Sequence, residues 1–66
     1  MEMPDIKSQI IELLANNPDG LTMHKIAVAL GLTTYMLIRE LSTLEAKGEI
    51  QIITVGASKL VKLTQH

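Results

Sequence analysis

The chain has 66 residues, a net charge of −1 and no cysteine, and 47% of it is hydrophobic. That length holds one domain, expected over 1–66, and a domain of roughly 60 residues buries only about 60% of the surface its unfolded chain exposes. The missing cysteines exclude disulfides and thiolate metal sites, so aliphatic burial must hold the fold, and the charge argues against a strongly basic nucleic-acid binder.

The charge is unevenly spread. Residues 1–20 carry Glu2, Asp5, Glu12 and Asp19 against Lys7, a sum of −3. Residues 21–66 carry Lys25, Arg39, Lys47, Lys59 and Lys62 against Glu40, Glu45 and Glu49, a sum of +2. No segment approaches 18 consecutive apolar residues, so no membrane span is expected. The start, Met1-Glu2-Met3-Pro4-Asp5, lacks the basic residues and apolar run of a signal peptide, and a cytoplasmic location is expected.

Pro4-Asp5 predicts a helix start, because an Asp side chain can cap the free amides of a first turn and suits the positive end of the helix dipole. Ile6, Ile10, Leu13 and Leu14 then form one apolar stripe. Asn16-Asn17-Pro18-Asp19-Gly20 ends that helix. Leu21 is expected as a one-residue bridge to a later hairpin, and Thr22 as the cap of a second helix whose apolar face is Met23, Ile26, Ala27 and Leu30. Gly31 falls where a left-handed helix cap belongs. Thr33 caps a third helix with the core stripe Leu37, Leu41 and Leu44, ended by Gly48. The period then changes to two: Ile50 and Ile52 alternate with Gln51 and Ile53, and Val61 and Leu63 alternate with Lys62 and Thr64. Gly56-Ala57-Ser58 lies between these runs, which predicts a β-hairpin.

The stretch Ile26-Ala27-Val28-Ala29-Leu30-Gly31-Leu32-Thr33 resembles a helix-turn-helix core, with Ala27 small enough for close helix crossing and Gly31 making the turn. Leu37 through Ile50 resembles a recognition helix running into a first wing strand, and Val61-Lys62-Leu63-Thr64 resembles the closing strand. Taken in this order the chain is similar to the winged helix-turn-helix family. The resemblance implies an α+β fold, a three-helix core followed by a two-stranded hairpin wing. It also implies duplex DNA as the partner, with the third helix in the major groove and the wing on the backbone or minor groove.

At about 100° per residue from Leu37, Leu41 and Leu44 lie within roughly 40° of it, whereas Tyr35, Arg39, Ser42, Thr43 and Ala46 lie on the far side. Arg39 is the leading DNA-binding candidate, since its fork of donors matches guanine or a phosphate. Tyr35, Ser42 and Thr43 are the other groove-facing candidates. Thr33 and Thr34, at a helix start, are caps and candidate phosphate contacts. Lys25, Lys59 and Lys62 are candidate backbone contacts. His24 has Val28 at i+4 and no ligand-rich surroundings, and His66 is terminal, so no metal and no cofactor is expected. No phosphate loop, nucleophile–base pair or metal pair points to an enzyme.

Several apolar residues fall where a solitary DNA binder would carry polar ones. Val28 lies about 200° from Ile26 on the second helix. Ile11, Met36 and Ile38 flank their stripes, and Ile53 is on the opposite strand face from Ile50 and Ile52. Such residues either pack along helix flanks or form an interface. Two functions are therefore expected to compete. The first is a small dimeric transcriptional regulator. The second is a protein–protein module, accessory to a larger complex, that does not bind DNA; Ile11, Val28, Ile38 and Ile53 would meet a second copy in the first case and a protein partner in the second.

Overall fold

A computed structural model describes residues 5–64; Pro4 and His66 fall outside them. Helix α1 (Ile6–Ala15) is followed by the short strand β1 (Leu21–Thr22), helix α2 (Met23–Leu30), helix α3 (Thr34–Ala46), and a hairpin of β2 (Ile50–Val55) and β3 (Ser58–Leu63). The layout is a small α+β winged-helix-like fold.

Each helix begins on a side-chain oxygen that satisfies an otherwise orphaned amide. Asp5 accepts from the Ser8 N–H at 2.7 Å, Thr22 from the Lys25 N–H at 3.3 Å, and Thr33 from the Met36 N–H at 3.1 Å. Helix α2 ends in a Schellman motif: Gly31 takes φ 67° and donates to the Val28 carbonyl, and Leu32 donates to the Ala27 carbonyl at 2.9 Å. That left-handed residue reverses the chain between α2 and α3 without the backbone strain that any other residue carries at positive φ. The same bond pattern closes α3, with Gly48 bonded to the Glu45 carbonyl and Glu49 to the Leu44 carbonyl.

The sheet is antiparallel in the order β1-β3-β2. The bridge expected at Leu21 extends over two residues, Leu21↔Val61 and Thr22↔Leu60, so Thr22 both pairs with β3 and caps α2. The hairpin turn is Gly56-Ala57; Ser58 already belongs to β3 and pairs with Val55. One sheet face, carrying Ile50, Val61, Leu21, Ile52 and Leu63, packs under the helices.

Ile10, Leu14, Ile26, Ala27, Leu37, Leu41, Leu44, Ile50 and Val61 form the buried core. No polar side chain is buried among the described residues. Of the flanking apolar residues, Ile11 packs half-buried against this core, whereas Val28, Met36, Ile38 and Ile53 are exposed. Helix α1 is bounded by α2, α3 and β3, which cover its flanks; α3 has a flank open to the wing.

Candidate nucleic-acid interface

Burying Leu37, Leu41 and Leu44 under α1 and the sheet turns the opposite side of α3 to solvent. Tyr35 is 71% exposed there, and Arg39, Ser42 and Thr43 are exposed beside it. The two carboxylates of α3 lie off this strip. Glu40 pairs with Lys7 of α1, Nζ to Oε2 at 3.4 Å. Glu45 lies on the wing side. Among the described residues Arg39 forms no ion pair, so its guanidinium is the only charge on the strip.

Local bonding limits two of the candidate hydroxyls. Thr43 Oγ1 donates to the Arg39 carbonyl at 3.2 Å, which leaves only its lone pairs for a partner. Thr33 Oγ1 is occupied as the acceptor from Met36, which leaves its proton free to donate. Thr34, the first residue of α3, is exposed at the positive end of the helix dipole.

Between α3 and the wing runs a groove of about 440 Å³ lined by Met23, Ile38, Leu41, Ser42, Glu45, Ile52, Thr54 and Lys59. Lys59 pairs across the hairpin with Thr54, and Lys62 with Gln51. Side chains alternate between the faces of a strand, so the two lysines lie on opposite faces. Lys59 lines the groove beside α3, and Lys62 lies half-buried on the face turned away from it. Lys25 is exposed on the first turn of α2. A second cleft joins Thr22, Met23 and His24 to Ala57, Ser58 and Lys59 at the wing tip. The structure thus gathers Tyr35, Arg39, Ser42 and Thr43 on one strip, sets Lys59 beside it, and keeps Lys62 apart.

The sequence places Glu40 and Glu45 on one helix without giving either a partner. Their separate roles come from α1 and the wing, on either side of α3. Helical angle alone carries part of the signal, because both lie well off the Arg39 direction.

Asp5 is the one described group with a clear shift: hydrogen bonds from the Ser8 backbone amide, then from the Ser8 hydroxyl, hold its carboxyl below the ordinary value of 3.8. It belongs to the α1 cap, not to the α3 strip. Among the described residues no three His, Asp or Glu gather as a metal site, and no helix is long and apolar enough to cross a membrane. No family model matches the chain, and neither does any curated protein or solved structure.

Proposed function

We propose that this chain is a winged-helix protein that binds duplex DNA with α3 in the major groove, as a small regulator of transcription. The observation that supports this most is the character of the exposed α3 strip. It carries one cation and several hydroxyls, while both carboxylates of the helix are drawn aside. A helix entering the major groove needs donors on its outer face, and an Arg can bind guanine O6 and N7 together. In this reading Arg39, Tyr35, Ser42 and Thr43 meet base edges or phosphates, and Lys25, Thr33, Thr34 and Lys59 hold the backbone. Lys62 takes part only through DNA wrapped past the edge of the sheet.

The test is fluorescence anisotropy with mixed-sequence duplex DNA at two salt concentrations. The expected result is micromolar binding that weakens steeply as salt rises, the mark of phosphate neutralisation. Once a preferred site is selected, Arg39→Ala should weaken binding to it by about 1–3 kcal/mol if Arg39 contacts a base. Absence of binding even at low salt would refute the reading.

A second function, a protein–protein module, is favoured by Val28, which is 68% exposed on α2, and by the net charge of −1. It predicts that Val28→Asp abolishes a protein association and leaves any DNA affinity unchanged.

A further inference from the structure

We infer that the free edge of β2 is a self-association site: two copies of the chain pair β2 to β2 antiparallel about a two-fold axis and join their sheets. This does not rest on DNA binding.

Strand β2 is an edge strand, bonded to β3 on one side only. Its outward groups follow from the ladder. The Thr64 N–H donates to the Glu49 carbonyl at 3.1 Å, so Glu49 faces β3. Antiparallel pairs alternate between bonded and non-bonded. Gln51, Ile53 and Val55 therefore also bond to β3, and the N–H and C=O groups of Ile50, Ile52 and Thr54 point off the edge. Among the described residues no turn, cap or loop bond engages those groups.

Exposed edges of soluble proteins carry a device against pairing: a charge, a proline, a bulge, extreme shortness or a covering segment. Strand β2 has six residues, Ile-Gln-Ile-Ile-Thr-Val, none charged and none proline. Its register with β3 runs unbroken from Ile50↔Leu63 to Val55↔Ser58, so no bulge bends it away. Ile53 and Val55 remain 40% and 58% exposed on its outer face.

The occupant follows from what such an edge can accept, which is an extended backbone of matching length. Among the described residues only β2 offers one, since β3 is flanked on both sides and β1 has two residues. The strand is also self-complementary. A two-fold axis normal to the sheet, passing through Ile52, sets Ile52 opposite the Ile52 of the second copy and Ile50 opposite its Thr54. All three outward residues are then bonded, giving about six hydrogen bonds at two per bonded pair. Because the strand is uncharged, no like charges meet. The same axis keeps both α3 helices on one side of the joined sheet.

The test is sedimentation velocity of the full chain without DNA over a concentration series. The expected species at high concentration has twice the chain mass of 7.2 kDa. Thr54→Pro removes an outward N–H that serves no bond within the hairpin, so it should return the mass to 7.2 kDa with the far-UV spectrum unchanged. An isotope-filtered NOE between Gln51 Hα and Ile53 Hα of different chains reads the register in the unmodified protein, and it decides the matter should Thr54→Pro not fold. A chain that stays monomeric up to about 1 mM, or a dimer that lacks this NOE and survives Thr54→Pro, overturns the proposal. Because DNA is absent, either outcome leaves the reading of α3 standing on its own test.

Discussion

Gly20 and Gly31 both have positive φ, at 92° and 67°, yet the structure predicts different costs for the same Ala substitution. At Gly31 an added Cβ meets nothing within 4 Å. Gly31→Ala therefore costs only the left-handed backbone, about 1–2 kcal/mol, offset by about 0.4–1 kcal/mol from the stiffer unfolded chain. At Gly20 the Cβ would sit 2.9 Å from the Val61 carbonyl oxygen and 3.2 Å from both Leu60 Cγ and Lys62 Cβ. The closest of these is backbone in the central strand, so the two-residue β1–β3 bridge must give way. Overpacking of this kind costs about 1–3 kcal/mol, and a φ of 92° lies outside the small left-handed well that an alanine can occupy. Gly20→Ala should thus be worse than Gly31→Ala by about 1–3 kcal/mol. In a domain of this size that separates the two melting temperatures by at least about 4 °C. Thermal and urea unfolding followed by circular dichroism would measure it. Coincident midpoints, or a lower one for Gly31→Ala, would refute the argument that close approach to β3 sets the difference.

Leu41 is fully buried in the core stripe of α3, so Leu41→Ala should destabilise the fold by about 2–5 kcal/mol in urea; a cost under 1 kcal/mol would mean that the stripe is not the core. Lys7 and Glu40 form a partly exposed pair, so Lys7→Met should cost less than about 1 kcal/mol, and the difference should shrink in high salt. The Asp5 carboxyl titrates lower in the folded chain than its ordinary 3.8. Its stabilisation is therefore complete above that unfolded value and lost as pH falls through the depressed folded one. Asp5→Asn keeps a cap oxygen without a charge, so it should flatten the loss of stability as pH falls below the ordinary 3.8. An acid profile identical to the unmodified chain would show that the cap does not titrate.

Most of the local structure was legible from residue order, because its causes are local. Asp5, Thr22 and Thr33 cap the turns that follow them, Gly31 takes the left-handed position, and the change of period after Gly48 separates α3 from the hairpin. The same arithmetic placed Tyr35, Arg39, Ser42 and Thr43 on one strip of α3, because a buried leucine stripe leaves the opposite side for solvent.

What residue order left open depends on which elements meet. Ile11 and Ile38 flank their stripes alike, yet Ile11 packs half-buried against the core because α1 lies among α2, α3 and β3, whereas Ile38 is exposed on the wing groove. Alternation puts Lys59 on the face of Val61 and Leu63 and Lys62 on the opposite one, but only the packing of the sheet decides that α3 is the helix beside Lys59. Helical angle sets Glu40 off the outer strip of α3, but only the packing of a distant helix supplies Lys7 as its partner. Strand order is the same kind of fact: a hairpin alone cannot say which of its strands is central. The bridge from Leu21 and Thr22 falls on β3, which leaves β2 as the edge. Caps and periods are set by neighbours a few residues away, so the sequence carries them. Pairings across tens of residues follow from how the helices and sheet cover one another's apolar faces, and only the tertiary structure determines that.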